Sequence, residues 1–490
     1  MITYLQNRGY AQEMLGVGLG NYSGVMSTLY NPAMLTNNKT YLDINIVSAD
    51  VFFRQDMYYI PKGDYSIYKA MRLEEPPKYG EDSVNVKIYN GKETKFLHSS
   101  IRVAGPSASF QWGDHGFAFT TGTRYFMSAD NIPWEMPAIG YIGIKDDSLH
   151  NINFIDYNID LSTSAWMEVG FSYAYNIYKY FDTQLTLGIT LRKLWGYAGL
   201  TMSVDNIDYI IVNDTTVNIR NANAGLGFSL PVDYNTNDIN HDPFFKGSGI
   251  SADLGIVYIK KKRGYKRWDK YSLCSQPYED YFYRIGVSVL DLGSLRFKNN
   301  AQWHTYDDVS SYWDNVDTVN FNSINGVMRS LSEVFYGDPA SSLKASSFSV
   351  GLPTALSVQM DFHTAKNLYI GGFWIHPLKI TGNTMRRAAQ IAVVPRYETR
   401  YFEVNIPVSI YDYKYPRIGL SARLWFFTIG TERLGTWLGL ADLNGLDIYA
   451  SVKINLGEKG VCRSRRNSAC QNGEYGYSAK QRRIFRKHRR

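Results

Sequence analysis

The sequence predicts an all-β fold, a transmembrane antiparallel β-barrel of about fourteen strands with an N-terminal plug segment, from alternating hydropathy, its recurrence along the chain and an aromatic-rich composition. The alternation is clearest in one hairpin. Over 164–177, Met167, Val169, Phe171, Tyr173, Tyr175 and Ile177 share one face, and Glu168, Gly170, Ser172, Ala174 and Asn176 share the other. Over 184–195, Leu185, Leu187, Ile189 and Leu191 alternate with Gln184, Thr186, Gly188, Thr190 and Arg192. Successive strand side chains point to opposite faces, so the hairpin separates an apolar environment from a polar one. A soluble sandwich or propeller gives the same alternation. Composition favours the barrel: 490 residues show no linker and no internal repeat, and 15% are aromatic, with 39 Tyr suited to the two interfaces of a bilayer. Mean hydropathy is −0.29 and no apolar run reaches a helical span, so a membrane is crossed by strands if it is crossed at all.

Taken in order, residues 1–11 lack an apolar export core, while Gly9-Tyr10-Ala11 before Gln12 has the small residues of a cleavage site. They are expected to be the remnant of an export signal or a misassigned start. Residues 12–40 form the plug segment and 41–457 the barrel. Its strands are expected at 41–54, 101–112, 116–128, 164–177, 184–195, 247–260, 281–290, 293–301, 346–361, 367–378, 388–395, 400–411, 416–430 and 446–456. Gly113-Asp114-His115 makes a tight turn. The intervening 55–98, 129–162, 201–246, 261–280 and 302–345 are long and polar, and most are expected on the extracellular side. Residues 458–490 hold eleven Lys and Arg against two Glu, so the net charge of +7 belongs to this tail, expected to be periplasmic and disordered.

Four stretches carry a resemblance. The Gly-rich segment 16–20 followed by Tyr30-Asn31-Pro32-Ala33, just ahead of the first strand, resembles the opening of the long-chain fatty acid transporter family, where such a segment plugs the barrel. Gly247 to Tyr258 with Asp253, Tyr283 to Gly293 with Asp291, and Phe402-Glu403 through Pro407 look like a large uncharacterised family of Bacteroidota outer-membrane barrels. That family is itself similar to the fatty acid transporters and to the type IX secretion shuttle barrel. The resemblance implies a cell outer membrane location, contact with outer-membrane lipid and a plug built on Asn31, Pro32 and Ala33.

Charges inside strands should avoid lipid, so Glu168, Asn176, Gln184, Arg192, Asp253 and Glu403 are expected to face the lumen. Structural pairing is the plainer role for them, a permeation path the sharper one. Cys462 and Cys470 could close a disulfide in an oxidising compartment or stay reduced, and their spacing suits zinc poorly. The Gly16, Gly18, Gly20 run lacks the strand and βαβ context of a nucleotide site. No Gly-x-Ser-x-Gly elbow or zincin pairing of His occurs, so no enzyme, cofactor or metal is expected. The basic tail has little aromatic interleaving, which argues against nucleic acid. Two functions remain: a channel for uptake of hydrophobic small molecules, or a non-enzymatic protein-interaction barrel with periplasmic or secretion partners reached through loops or tail.

Overall fold

The computed structural model describes residues 14–72, 86–262, 280–314, 316 and 322–458. Apart from a short ladder of Tyr58–Tyr59 with Lys87–Ile88, the described strands form one closed sheet in which each is antiparallel to its sequence neighbours. Fourteen staves result. They are β1 (Thr40–Gln55), β2 (Lys95–Ala104 and Ser107–Trp112), β3 (His115–Ile132), β4 (Asn153–Tyr180), β5 (Thr183–Asn213), β6 (Thr216–Ser229 and Gly247–Lys261) and β7 (Tyr281–Phe297 and Ala301–Trp313). The circle continues through β8 (Leu343–Ala345, Phe348–Gly351 and Ala355–Ala365), β9 (Leu368–Pro377), β10 (Gln390–Glu398), β11 (Phe402–Asn405 and Val408–Tyr411) and β12 (Tyr415–Ile418 and Leu420–Leu424). It ends with β13 (Phe427–Thr431) and β14 (Gly445–Glu458), which pairs with β1 from Thr40↔Glu458 to Arg54↔Gly445. Closure removes both free edges of the sheet.

The wall turns the sequence alternation inside out. Phe110, Trp112, Phe171, Leu187, Leu191 and Ile250 are exposed on the outer face, whereas Ser172, Ala174, Thr186 and Thr190 are buried within. Greasy side chains on the outside of a closed barrel need lipid or detergent.

Tight turns gather at one end, at Gly113-Asp114, Phe181-Asp182, Lys366-Asn367 and Trp425-Phe426. Gly113, Phe181 and Trp425 take positive φ there, as tight hairpins demand. Most long connections lie at the opposite end. The ends of the segment between β6 and β7 meet at the tight-turn end, where Lys262 donates its N–H to Asp280 O beside the rim residues Asp182 and Lys261; the rest of 261–280 lies outside the described residues. Some expectations are corrected. Residues 281–290 and 293–301 are not two strands, because β7 runs unbroken over Tyr281–Phe297. Conversely, 416–430 is a hairpin, since Trp425-Phe426 turns β12 into β13. Much of 129–162, 201–246 and 302–345 is strand rather than loop. Here β4 to β7 overshoot the barrel as a sheet, with pairs such as Asp160↔Ser203, Met202↔Leu226 and Trp303↔Gly227.

That extension has its own cores. The helix Ile324–Tyr336 is capped by Ser323 Oγ, which accepts from Gly326 N at 3.0 Å, and ends at Gly337 with φ +70°. Its Val327, Met328 and Leu331 pack against Phe228 and Tyr234. Trp134, Met136 and Ile139 cover Phe154, Tyr209 and Ile211 similarly. The segment 14–39, made of short helical turns, is buried inside the barrel proper. Its Leu15, Leu19, Tyr30, Ala33 and Met34 pack against inward Val257, Tyr369 and Phe373. Residues 1–11, the tail beyond Glu458, and Cys462 and Cys470 lie outside the described residues.

Candidate functional site

The Asn31-Pro32-Ala33 turn is seated on glycines of three adjacent staves. Asn31 Oδ1 accepts from Ala33 N at 2.9 Å, fixing the first turn of a short 3-10 helix with Pro32 at its start. Asn31 Nδ2 lies 3.1 Å from Ile256 O, 3.2 Å from Val287 O and 3.1 Å from Gln359 Oε1. Such close approach needs a wall without side chains. A Cβ at Gly188 would stand 2.3 Å from Ala33 N, one at Gly255 2.1 Å from Asn31 Oδ1, and one at Gly286 2.9 Å from Asn31 Nδ2.

Side chains of the wall hold the rest of the segment. Thr36 Oγ1 donates to Asn176 Oδ1 at 2.9 Å, and Gln184 Nε2 donates to both Asn37 Oδ1 and Asn176 Oδ1. Glu403 is gripped by Arg423 at 3.0 Å and accepts from Asn405, whose Nδ2 also reaches Gly16 O at 2.7 Å. Asn21 donates its N–H and Nδ2 to Glu398 at 2.9 Å each. Glu398 is paired in turn with Arg396 at 3.0 Å and Lys39 at 3.6 Å.

Above the plug the lumen is crossed by an ionic lattice. Arg192 grips Asp253 with two nitrogens, and Asp253 Oδ1 also accepts from Asp291 N at 2.8 Å. Asp291 accepts from both terminal nitrogens of Arg124, at 2.8 and 3.0 Å, and from Arg387 at 2.6 Å. Glu168 takes a hydrogen bond from Trp166 Nε1 at 3.0 Å and lies 3.5 Å from Arg124. Thus Asn176, Gln184 and Glu403 meet the plug, while Glu168, Arg192 and Asp253 belong to the lattice.

Sequence reasoning missed Arg124, Arg387 and Glu398 as partners. Arg124 sits in an alternating stretch between Thr123 and Tyr125, and its inward parity was the available signal. Arg387 carries no such signal, because it lies in the 378–389 connection between β9 and β10. That connection folds across the lumen as a strap. Leu378 N donates to Thr354 O, Met385 N to Gly351 O and Arg386 N to Ser128 Oγ, while Arg386 lies 3.6 Å from Asp130. A polar cavity of about 220 Å³ opens beside the strap, lined by Asp130, Asp160, Ser162, Thr201, Arg386 and Arg387 among others.

The wall itself is interrupted next to the plug. β1 pairs with β2 at Asn45↔Ser107 and again at Ser48↔Ala104, leaving Ile46 and Val47 without partners on β2. Gly105-Pro106 breaks β2 at this level, and Pro106 has no N–H to give. β1 bulges here against β14 as well. Toward β3 one backbone bond remains, Gly105 N to Thr121 O at 2.9 Å, and side chains stitch the rest: Asn45 Nδ2 donates to Gly105 O, Thr121 Oγ1 to Pro106 O, and Ser107 Oγ accepts from Thr121 N. Behind the stitches is a cavity of about 30 Å³, lined by Val25, Met26 and Leu29 of the plug, Ala104 and Thr121 of the wall, and Arg102, Glu168 and Arg192.

Among the described residues, Asp147, His150 and Asp214 approach one another at the end opposite the tight turns, with His150 Nε2 already 2.8 Å from Ile144 O.

A family model described as a family of unknown function, DUF5723, matches residues 32–432. No curated protein matches the chain by sequence. Among solved structures it is similar to the Ralstonia pickettii toluene transporter TbuX, at 9% identity over 92% of this chain and 100% of that one, with a TM-score of 0.40. A FadL homologue from Pseudomonas aeruginosa is 10% identical over 91% and 99%, with a TM-score of 0.36. The siderophore receptor PirA from the same organism is 10% identical over 85% and 80%, at 0.20.

Proposed function

The chain belongs to the family of unknown function DUF5723, and from that premise we propose that it is an outer-membrane barrel passing hydrophobic small molecules laterally into the bilayer. One observation carries this reading: the wall break at Gly105-Pro106 stands over the apolar plug side chains Val25, Met26 and Leu29. Around the ionic lattice the inner wall is lined by buried charged groups, which disfavour an apolar solute. At the break a solute leaving the lumen meets lipid instead of water, so its transfer is driven by the apolar surface it buries. Between β1 and β2 the single side-chain stitch, Asn45 to Gly105, can be exchanged without unzipping a backbone ladder.

Thiol labelling in native membranes tests the path. With Cys274, Cys462 and Cys470 replaced by Ser, Met26→Cys should react with a lipid-soluble maleimide and resist a membrane-impermeant one. Failure of the lipid-soluble reagent, in a barrel that still folds, refutes lateral access. A second reading, an interaction barrel for secreted or periplasmic proteins, draws on the outer extension, where β4 above Asp160 pairs with β5 alone and offers an edge. A stoichiometric partner on a barrel that takes up no apolar probe would favour it.

A further inference from the structure

Three guanidiniums near the outer end of the lumen stand apart from the ionic lattice. Arg54 near the end of β1, Arg417 near the start of β12 and Arg433 just after β13 are all buried, at 4%, 7% and 6% exposure. Arg54 lies over the Tyr415 ring at 4.3 Å and over Tyr411 at 5.0 Å, and Arg417 covers Tyr411 at 4.3 Å. Arg433 Nη1 occupies space that only a glycine leaves open: a Cβ at Gly445 would be 2.2 Å away. Arg433 Nη2 donates to Asn444. Arg54 and Arg417 donate side-chain hydrogen bonds to no described residue. None of the three forms an ion pair with one. The Nε atoms of Arg54 and Arg417 and Nη1 of Arg433 are buried without an acceptor.

Each guanidinium carries five N–H donors and a fixed charge, so this cluster is far from satisfied. Glu432 and Asp447 come near the cluster without forming an ion pair with it: one oxygen of each, Glu432 Oε2 and Asp447 Oδ2, is buried without a donor, and the others are engaged elsewhere. Asp56 Oδ1 accepts from Phe96 N at 2.6 Å, Glu432 Oε1 from Leu15 N and Tyr449 OH at 3.1 Å each, and Asp447 Oδ1 from Glu432 N at 2.9 Å. Aromatic faces soften the cost of three buried cations without supplying acceptors. Water would accept the N–H groups and leave the mutual repulsion in place. An anion does both.

We propose that Arg54, Arg417 and Arg433 bind a small inorganic anion, a halide or an oxyanion, at the outer end of the lumen. The site is remote from the wall break and independent of the transport reading. Anomalous diffraction from crystals of the full chain grown in bromide tests it directly: a bromide peak within hydrogen-bonding reach of these guanidiniums is the expected result. Density for water alone, or closure of the arginines onto Glu432 and Asp447 with no anomalous peak, overturns the proposal. In detergent solution at fixed ionic strength, exchanging a bulky sulfonate for bromide should raise the thermal midpoint of the native chain. Arg417→Gln should abolish that rise and Arg102→Gln should retain it; an undiminished rise in Arg417→Gln also overturns the proposal.

Discussion

At the scale of single residues, the plug is fixed by geometry more than by any one strong bond. Asn31 makes its contacts only because Gly188, Gly255 and Gly286 let the turn touch the wall. Gly188→Ala, whose methyl would overlap Ala33 N, should therefore loosen the plug as much as Asn31→Ala. The latter removes a buried hydrogen-bonding group at a cost of about 1–3 kcal/mol. Both variants should lower the thermal midpoint followed by heat-dependent gel mobility and raise conductance in planar bilayers. An unchanged thermal midpoint for both would show that the plug is held by its other contacts. The ionic lattice behaves differently, since removing one partner strands the rest. Asp291→Asn leaves Arg124 and Arg387 buried with too little negative charge and should cost about 3–5 kcal/mol. Adding Arg387→Gln should recover part of that loss, because the second cation then no longer lacks its partner; strict additivity in chemical unfolding would rule the coupling out.

At the scale of elements, alternation made most staves legible, and interruptions misled it. Two short stretches around Asp291 read as separate strands because Asp291 takes a positive φ and shifts the register, yet the ladder continues through the bulge. The β12–β13 hairpin was hidden because Trp425 and Phe426 are not ordinary turn residues. The β2 break matters most. Gly105 and Pro106 cost the wall its backbone ladder between Ser48↔Ala104 and Asn45↔Ser107, so Gly105→Val with Pro106→Thr should let the strand pair through. The expected gain is about 0.5–1.5 kcal/mol per restored hydrogen bond, with slower labelling of Met26→Cys by the lipid-soluble reagent. A stabler wall with unaltered labelling would separate the break from the path. In the sheet extension beyond the barrel, Glu135 accepts from Tyr209 OH at 2.5 Å and from Tyr157 OH at 3.4 Å. Burial holds its carboxyl above the ordinary 4.5 despite these bonds. The folded state then binds the proton more tightly than the unfolded one, so this contribution is whole below pH 4.5 and is lost as pH rises through the raised folded value. Glu135→Gln should keep the acceptor and lose the titration. Its thermal midpoint relative to the native chain should climb from acid to neutral pH, and a flat difference would remove Glu135 from the account.

At the scale of the whole molecule, the barrel was legible because two unlike environments leave a period of two along every stave. The lumen's contents were only half legible. Glu168, Asn176, Gln184, Arg192, Asp253 and Glu403 could be assigned a face by parity, but their partners come from distant parts of the chain, as with Gln184 and Asn37, 147 positions apart. The strap was invisible, since a polar connection between two strands looks the same whether it stands in solvent or folds inward. Its inward course has a consequence for permeation. The strap bonds to β3 through Arg386 and to β7 through Arg387, so it spans the mouth between the polar cavity and the lattice below. Plug and strap thus act in series, and removing either alone should leave the other as the barrier. Arg386→Ala with Arg387→Ala removes the strap's ionic ties to Asp130 and Asp291 while its backbone bonds and the Asn31 seat stay intact, so conductance should rise only modestly. Combining it with Gly188→Ala should raise conductance by more than the two separate increments together, the signature of resistances in series. Planar-bilayer recordings decide the matter: if the strap variant alone gives the full conductance of the combination, the plug contributes no barrier and the serial arrangement is wrong.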